Sequence, residues 1–489
     1  MGADNFVRSF VASTGLLRAR TLRICNVRSP RNDDLRLQTH ACKLIHNVIL
    51  CLETVKTVKT VLRRYKMQIT RPKGTADIFG QESARWQYVE GIIRQVAALF
   101  AIEEIRTPTF ENVELFVKSV GEATDIVSKE MYTFEDNGGR KYALAPEGTA
   151  GVVRAYIENK MDNLPQPVKL YYISRYYRAE RPQKGRYRQF NQVGVEFFGS
   201  YAAEADAELI SLVHTLLTRL GLDNFTLQLN SIGDKACRQL YNEALLTFLD
   251  SHKSGLCGLC TERMSKNPMR VLDCKNPECA KILQNAPVPL DHICEDAADH
   301  FAKLQDNLTK IGIPYEVNKR LVRGLDYYTR TVFEFVSDDL GAQATVCGGG
   351  RYNNLVESHG GTPTGAVGFG MGIERLLIML EEQGKLPDIP RRVCVFLGGM
   401  GDAGAAKARQ IANQLRQNGI SALCDLADRS VKAQMKYADK LGALHSIIIG
   451  ESELESGEVT VKPMGGGDSA VVAIDDIVKY FEEESVWKI

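Results

Sequence analysis

The sequence predicts an α+β core built on an antiparallel sheet, a helical insertion within that core and a small α/β domain after it. Three observations support this fold class. Two strand-like segments, Lys169–Tyr177 and Phe190–Phe198, are joined by a short cationic loop, as in a β-hairpin. Residues 235–312 have a mainly helical pattern, and strand-like segments return after them. Strand and helix patterns then alternate from residue 393 onward, which predicts a separate α/β unit.

Composition places the chain among ordinary soluble globular proteins. It has 489 residues, 44% of them hydrophobic, and a formal net charge of +1; this length allows two to four domains. No apolar run approaches the roughly 20 residues of a membrane span, so we expect no membrane segment. Twelve cysteines without a secretory signal indicate a reducing compartment, and we expect a cytoplasmic location.

Residues 1–66 differ from the rest and are left as an unassigned leader. They contain 13 Lys or Arg but only four acidic residues. An Arg-rich, acid-poor leader is typical of a mitochondrial transit peptide. The alternative is a start called too early, with Met67 as the first residue, and the segment MQITRPKGTADIF favours that alternative. The organelle therefore stays open between cytoplasm and mitochondrion.

The core is predicted in two parts, residues 67–234 and 316–388, separated by an insertion over 235–315. The first part begins with an amphipathic helix over Ser83–Phe100, because its apolar residues recur at helical spacing. The remaining predicted elements are strand Ile102–Thr107, a hairpin around Asp136–Gly139, a helix opening at Ala145–Thr149, helix Ala202–Leu220, strands Thr331–Val336 and Ala344–Cys347, and helix Ile373–Gln383. Pro387–Pro390 is a natural linker to the last domain, residues 392–489.

The loop of the long hairpin is the first candidate binding site. Arg178 and Glu180 follow the first strand, and Gln183 and Arg186 lie in the loop. Arg binds phosphate with two parallel hydrogen bonds and keeps its charge, so this hairpin suits a polyphosphate or nucleic acid. A solvated cationic hairpin is the alternative. Acidic and amide residues interleaved with the cations, such as Gln192 and Glu196, favour a site that binds a zwitterion together with a phosphate.

Further chemistry-bearing residues lie in four short segments. Glu147, Gly148 and Thr149 open a helix, where either Glu147 or Thr149 could simply be the helix cap. Segment Leu321–Thr329 brings Arg323, Asp326, Tyr327 and Tyr328 together before a strand, and a core strand rarely carries such charges unless they are paired or used. Gly348–Tyr352 offers close backbone approach with one more cation and phenol. Glu374 and Arg375 begin a helix after glycines, which suits a phosphate or, alternatively, a surface ion pair.

Two patterns outside these segments each allow two interpretations. Gly399–Gly404 fits G-x-G-x-x-G, with Asp425 about 20 residues on, as in dinucleotide-binding folds. Only about 100 residues remain for that domain, so we interpret the pattern as a glycine turn into a helix. Four cysteines in the insertion have near-zinc spacing, and they indicate either a structural zinc site or a plain loop; they are Cys257, Cys260, Cys274 and Cys279. We assign no metal to the site itself.

From Met67 to its end the chain resembles the histidyl-tRNA synthetase family, within class II of the aminoacyl-tRNA synthetases. The strand ending at Thr107-Pro108, Arg178 to Glu196 and Gly368 to Leu377 are similar to the three class II motifs. LVRGLDYYTRTVFEF and GGGRYNNL are similar to two family-specific signatures. A regulatory paralogue of the same fold would generally lack the last domain and intact motifs, both of which are present here.

The resemblance implies a ligase that activates L-histidine with ATP and transfers histidine to the 3′ end of histidine tRNA. It implies a homodimer, Mg²⁺ accompanying ATP, and an anticodon-binding domain over 392–489. Arg178 and Arg323 would be the catalytic residues, and Gln183 a tRNA contact. Histidine would bind at Glu147, Gly148, Thr149, Arg178, Gln192, Glu196, Arg323, Tyr327 and Tyr328. ATP would bind at Arg178, Glu180, Arg186 and Arg375.

Overall fold

The structure is a computed structural model that describes residues 69–122, 124–272, 274, 276–343, 345–389 and 393–483. The predicted leader, residues 1–66, lies outside the described residues. The chain divides into two compact units, Met1–Pro72 and Lys73–Ile489, and every element below belongs to the second.

An eight-stranded sheet, with strands between residues 103 and 372, forms the centre of the larger part of this unit. Its six central strands pair antiparallel with one another, while the edge strands β1 and β8 pair in parallel with β5 and β7. The order is β1-β5-β6-β11-β10-β9-β7-β8. The strands are β1 Glu103–Glu104, β5 Val168–Tyr177, β6 Gln189–Phe198, β7 Thr226–Ser231, β8 Glu316–Val317, β9 Thr329–Val336, β10 Thr345–Arg351 and β11 Ala366–Gly372. The predicted antiparallel sheet is therefore confirmed.

Alternation along the strands gives this sheet two different faces. On β6, Val193, Val195 and Phe197 point into an apolar core, whereas Glu196 and Phe198 point the other way. The first face packs against helices α1 Gln81–Leu99, α4 Ala203–Arg219, α8 Glu295–Lys310 and α10 Ile373–Glu382. The second face carries a cavity lined by Tyr172 and Gln192, and we refer to it as the site face.

Smaller elements complete the site face. A three-stranded sheet of order β2-β4-β3 lies beside it, built from β2 Phe110–Asn112, β3 Thr133–Glu135 and β4 Lys141–Leu144. Three helices accompany it: α2 Val113–Val120, α3 Thr149–Glu158 and α9 Leu355–Ser358. The strand predicted over Ile102–Thr107 is wrong in length, because only Glu103 and Glu104 pair with β5.

The glycine runs are strands rather than loops. Gly348 to Gly350 lie within β10 and Gly368 to Gly372 within β11, so the strand predicted to stop at Cys347 continues to Arg351. A Cβ on Gly348 would overlap the guanidinium of Arg323. The glycines therefore let large side chains lie flat on the sheet.

The insertion is mainly helical, as predicted. It comprises α5 Lys235–Ser251, α6 Gly258–Lys266, α7 Pro277–Leu283 and the helix α8 given above, with short 3₁₀ turns between them. Helices α5, α6 and α7 share a small apolar core of their own that includes Tyr241, Leu245 and Leu249.

The C-terminal part is a five-stranded sheet of order β13-β12-β14-β15-β16, parallel in its first three strands. The strands are β12 Val393–Gly399, β13 Ala422–Cys424, β14 Ala443–Ile449, β15 Glu458–Pro463 and β16 Ala470–Ala473. The helices are α11 Gly401–Gln417, α12 Val431–Lys440, α13 Glu451–Ser456 and α14 Ile477–Glu483. No helix in the described ranges is long and apolar enough to cross a membrane.

Candidate active site

A cavity of about 210 Å³ opens on the site face, between the mouth of the β5–β6 hairpin, strands β10 and β11, and the start of α3. Most of the residues predicted from the sequence line it together. They are Glu147, Gly148, Thr149, Arg178, Glu180, Arg186, Gln192, Arg323, Tyr327, Tyr328 and Arg375. Segments separated by more than 200 residues in the chain thus converge on one cavity, which we call the central cavity.

Two arginines in this cavity have no carboxylate within ion-pair distance among the residues that the structure describes. Arg178 donates its Nε–H to the carbonyl of Pro146 at 2.9 Å, and its guanidinium lies 5.2 Å from the ring centre of Phe190. Arg375 donates to the carbonyl oxygens of Gly185 and Thr345. Both guanidiniums are held by neutral groups, so their charge remains available to an anion.

Arg375 shows the effect of crowding these cations together. Burial lowers its pKa, and the nearby charges of Arg186 and Arg178 lower it further. Its neighbour Glu374 does not pair with it, because the Glu374 carboxylate accepts hydrogen bonds from the backbone N–H and side-chain amide of Asn191. The predicted alternative of a surface Glu374–Arg375 ion pair is therefore wrong.

The other two arginines are paired. Arg186 lies 3.1 Å from Glu180 within the hairpin loop. Arg323 forms an ion pair with Glu334 on β9, and Glu334 also accepts a hydrogen bond from the hydroxyl of Thr345 at 2.8 Å. Burial disfavours the charged form of Arg323, but Glu334 outweighs burial and raises the pKa of Arg323. Glu334 fixes the position of that guanidinium.

Glu147 both caps a helix and lines the cavity. Its two carboxylate oxygens accept the backbone N–H groups of Thr149 and Ala150 at 2.9 and 2.8 Å, at the start of α3. Burial raises the pKa of Glu147, and these two hydrogen bonds oppose that shift. Glu147 is therefore both the helix cap and a cavity residue. The two interpretations given for it from the sequence do not exclude each other.

Glu196 lies beneath the central cavity rather than on its wall. It is fully buried, and its carboxylate accepts hydrogen bonds from the hydroxyls of Thr149 at 2.8 Å, Tyr172 at 3.2 Å and Tyr352 at 2.5 Å. Burial raises the pKa of Glu196 to about 8, against the effect of the Tyr352 and Thr149 hydroxyls. Its partners here are three hydroxyls and it does not line the central cavity, so direct contact of Glu196 with histidine stays a prediction.

Tyr172 separates Glu196 from the cavity. Tyr172 pairs with Gly194 across β5 and β6, and a Cβ on Gly194 would collide with the Tyr172 ring. The ring therefore crosses the strand at that glycine, lines the cavity and places its hydroxyl on Glu196. Tyr172 is a cavity residue that the sequence reasoning missed, although the tyrosine-rich strand opposite a glycine was a usable signal.

Gln183 and Glu334 complete the comparison with the sequence predictions. Gln183 does not line the central cavity; its backbone bridges Arg186 in the hairpin loop at 3.1 and 2.9 Å. Glu334 was not predicted either. The sequence pattern that could have indicated it is a single carboxylate among apolar residues in strand β9.

The comparisons with known proteins fit this geometry. The model of the Histidyl-tRNA synthetase family matches residues 74–376, more than half of the chain. The chain belongs to the histidyl-tRNA synthetase family. The Anticodon binding domain model matches residues 392–484.

Individual relatives agree with the family model. The Histidine–tRNA ligase of Acetivibrio thermocellus is 50% identical over 408 residues, which cover 83% of this chain and 98% of that protein. The Histidine–tRNA ligase of Caldanaerobacter subterraneus is 49% identical over 408 residues, with the same two shares. The apo histidyl-tRNA synthetase of S. aureus superimposes with a TM-score of 0.73 at 40% identity, covering 85% of this chain and all of that one.

A second cavity, of about 270 Å³, adjoins the central cavity of this synthetase. The two share Arg178, Glu180 and Arg186 in their walls. Its other walls come from Asp125 and the π-helical turn Ile126–Glu130, from the insertion, and from the core segment before β9. The residues that they contribute are Asp125, Ile126, Glu130, Arg263, Arg270 and Gly324. Burial raises the pKa of Glu130, and the Glu180 carboxylate adds to that shift. The hairpin loop therefore faces two spaces at once.

The synthetase has a third cavity in its C-terminal sheet, of about 690 Å³, at the glycine turn Gly399–Gly404. Asp425, where a dinucleotide fold would place its ribose-binding carboxylate, instead accepts the backbone N–H of Arg429 at 2.7 Å and its guanidinium at 2.5 Å. Gly399 packs against the backbone of Ala405 and Gly404 against the carbonyl of Ile449. The glycines serve close helix–strand packing, in agreement with the interpretation made from the sequence.

Proposed function

We propose that this chain works as a histidine–tRNA ligase in two steps, with the central cavity as the site of both. In the first step a histidine carboxylate oxygen attacks the α-phosphorus of ATP, a P–O bond forms, and the bond to the β-phosphate breaks to release pyrophosphate. In the second, a hydroxyl of the terminal tRNA ribose attacks the histidyl carbonyl carbon and AMP departs. The single observation that carries the assignment of this site is the pair of arginines, Arg178 and Arg375, in a cavity that also contains Glu147; within the described part of the chain neither arginine has a carboxylate partner.

Electrostatics sets the task of the first step. A carboxylate and a phosphate about 4 Å apart repel by about 4 kcal/mol at an effective dielectric constant of about 20. Fixed positive charge removes this repulsion without reorganisation during the reaction. Arg178, held by Pro146 and Phe190, would lie between the α-phosphate and the carboxylate.

Arg323 and Arg375 would supply the other two cations. Glu334 holds Arg323 by an ion pair, and the Arg323 side chain lines the cavity, where it would make a second contact with the α-phosphate. Arg375, bound only to carbonyl oxygens, would take the γ-phosphate end of ATP. Arg186 and Glu180 would hold the nucleotide at the hairpin mouth, where their ion pair lies.

Histidine would bind in the more acidic part of the cavity. Glu147, Gly148, Thr149 and Gln192 line that part, and the carboxylate of Glu147 attracts the ammonium group of the amino acid. Tyr327 and Tyr328 would face the imidazole, whose neutral form offers one donor and one acceptor. A site that pairs both rejects apolar isosteres by roughly 10⁴-fold. Glu196 would act through Thr149 and Tyr172, whose hydroxyls it holds.

Mg²⁺ would enter with ATP. Cavities of this kind bind Mg²⁺ through one or two carboxylates together with substrate phosphates. Glu180 and Glu374 are the lining carboxylates close to the proposed phosphate positions, so the donor set fits. The ion would neutralise charge on the departing pyrophosphate.

Histidine tRNA would reach the enzyme at two places. Gln183, at the hairpin loop, and the second cavity beside it would receive the acceptor end. The C-terminal cavity would receive the anticodon region, with Arg409 and Arg429 in its wall. The matched anticodon-binding model over residues 392–484 supports this second contact.

A homodimer is proposed from an exposed aromatic cluster on the three-stranded sheet. Phe110, Phe134 and Tyr142 lie with ring centres 5.5 to 5.8 Å apart, and Phe110 and Phe134 are 49% and 42% exposed. Contiguous exposed apolar patches commonly mark protein–protein interfaces. Analytical ultracentrifugation should show a dimer, and Phe134→Asp should shift it toward monomer; a wild-type monomer at micromolar concentration would contradict the proposal.

We also propose a cytoplasmic location. The nine cysteines that the structure describes are free thiols, which suits a reducing compartment. Intact mass and N-terminal sequencing of the native protein would distinguish a start at Met67 from a cleaved mitochondrial leader.

The test of the proposed function is histidine-dependent ATP–pyrophosphate exchange, followed by charging of histidine tRNA. We expect exchange with histidine and none with the other amino acids, and charging that depends on both ATP and histidine. Folded protein that binds histidine without exchange would instead be a silent binding protein of the same fold, and would overturn the proposal.

A further inference from the structure

Four cysteines in the insertion converge on one point. Their Sγ atoms all lie within 4.8 Å of one another, and the Cys257–Cys274 pair is 3.8 Å apart. The four residues are Cys257, Cys260, Cys274 and Cys279. They come from three separate stretches of chain: the start of α6, the segment between α6 and α7, and the first turn of α7.

The spacing of the sulfur atoms fits a tetrahedral ion better than two disulfides. A Zn–S distance of about 2.3 Å in a tetrahedron places neighbouring sulfur atoms about 3.8 Å apart. Two disulfides would instead bring the sulfur atoms into two pairs, each at about 2 Å. Here every sulfur atom has the three others as neighbours, and all four cysteines are free thiols.

The surroundings also suit a closed structural site. Cys260 and Cys279 are completely buried, and Cys257 and Cys274 are half-buried at the edge of the insertion core. The backbone N–H of Cys257 donates to the sulfur of Cys279 at 3.2 Å. Hydrogen bonds of this kind orient metal ligands and stabilise their negative charge. Four protein ligands would leave no open position for a substrate.

A bound metal would stabilise the insertion. Helices α6 and α7 have nine and seven residues, too short to persist without tertiary support. Their shared apolar core is small, and the cysteines themselves form part of it. A metal can replace missing core in a small unit of this kind.

We propose that these four cysteines bind one Zn²⁺ as thiolates and that this ion holds α6, α7 and the segment between them together. On binding, four Zn–S bonds form and the thiol protons pass to solvent. The segment tied in this way carries Arg263 and Arg270, whose side chains line the second cavity. Arg263 donates to the backbone carbonyl of Arg270 at 3.2 Å and to Asp125 at 3.3 Å. The zinc would therefore help to position one wall of that cavity. The residues of this wall, Arg263 and Arg270, are distant in sequence from the β5–β6 hairpin that forms the opposite wall.

The first experiment measures metal in the full-length protein, purified without chelators and with thiols kept reduced. Elemental analysis should find about one zinc per chain, as for a Cys₄ site. Replacement of the ion by Co²⁺ should give the visible d–d bands and sulfur charge-transfer absorption of a tetrahedral thiolate site. Less than about 0.1 zinc per chain in protein expressed with added zinc, together with no such cobalt spectrum, would overturn the proposal.

A matched pair of variants locates the ion. Cys274→Ser should reduce bound zinc at least tenfold and change the cobalt spectrum, whereas Cys424→Ser, a half-buried cysteine of the C-terminal sheet, should keep both. Equal zinc in the two variants would place the metal elsewhere. If Cys274→Ser does not fold, chelation of the wild-type protein provides the second measurement: it should speed proteolysis within residues 253–290, and added Zn²⁺ should reverse this. Two disulfides, detected as a mass loss with no zinc, would contradict the site.

Discussion

The central cavity and the C-terminal cavity are built at the same kind of place and yet differ in charge. Both lie where a glycine-rich strand enters a helix, at Gly370–Gly372 before α10 and at Gly398 and Gly399 before α11. In the central cavity, Arg178 and Arg375 are held by carbonyl oxygens and an aromatic ring. In the C-terminal cavity, Arg429 is held by Asp425 and lies 4.2 Å over the ring of Tyr437.

This difference in the pairing of the arginines shows that glycines alone do not identify a nucleotide site. At the C-terminal place Gly399 and Gly404 allow close backbone packing, whereas a Cβ on Gly370 or Gly372 would make only ordinary contacts. What suits the central cavity to reacting anions is the positive charge of Arg178 and Arg375, which are half-buried and have no carboxylate at ion-pair distance among the described residues. An arginine already paired with an aspartate gains much less from a phosphate, because the ion pair must first be given up.

The largest expected effect is at Arg178. Arg178→Ala should lower kcat/KM for histidine-dependent pyrophosphate exchange by roughly 10²- to 10³-fold, the usual loss for one preorganised donor. Arg94→Ala is the matched control, since Arg94 lies on α1 outside the cavity and pairs with Glu90. An Arg178→Ala enzyme within threefold of wild type would show that the cation is not needed.

Glu334 is expected to have the next effect, as a positioning residue that holds Arg323. Glu334→Ala should reduce kcat for exchange about tenfold, a change of about 1.4 kcal/mol, while KM for ATP changes little. Glu334→Asp should recover part of the loss because a shorter carboxylate can still pair. A loss confined to protein stability, with kcat intact in the folded fraction, would reject this role.

These two residues show what the sequence could and could not predict. Arg178 was predictable because it follows a strand in a recognisable hairpin motif. The partner of Arg323 was not, because only the pairing of β9 with β10 places Glu334 opposite Gly348, the glycine against which the Arg323 guanidinium lies. Strand order was equally hidden: β6 pairs with β11, and the whole insertion lies between them in the chain.

Glu196 lies on the same face of the sheet as Gln192 but, unlike Gln192, does not line the central cavity. Alternation along β6 places Gln192, Gly194 and Glu196 on one side of the sheet. Only the packing of Tyr172 over Gly194 decides that Gln192 reaches the cavity while Glu196 lies beneath it. Periodicity predicts the face of a residue, and side-chain packing decides its exposure.

The buried position of Glu196 makes stability depend on pH. Because burial raises its pKa in the folded protein to about 8, the folded state binds a proton that the unfolded state releases above its own pKa near 4.5. The contribution of this group is fully present below pH 4.5 and is lost as the pH rises toward 8. Relative to Glu196→Gln, wild type should therefore lose about 1 kcal/mol per pH unit within this window.

Denaturant unfolding of both proteins at pH 6 and pH 8 measures this difference. Glu196→Gln is the right comparison, because glutamine keeps the shape of the side chain and removes its titration. A pH-independent difference between wild type and Glu196→Gln would mean that Glu196 is ionised throughout.

The smallest expected effect lies in the C-terminal cavity. Arg409 is an exposed side chain in its wall, so Arg409→Ala should raise KM for tRNA only a few-fold and should weaken the salt dependence of tRNA binding. Lys479→Ala, an exposed cation of the same domain outside the cavity, is the control. A larger loss in pyrophosphate exchange than in tRNA charging would contradict the division of work between the two cavities.

The most direct test of the central claim is a crystal structure of the protein with histidine and a non-hydrolysable ATP analogue. We expect the α-phosphate within hydrogen-bond distance, about 3 Å, of both Arg178 and Arg323, with the histidine ammonium group near Glu147. An α-phosphate more than about 5 Å from both guanidiniums, or histidine bound outside the central cavity, would contradict the account.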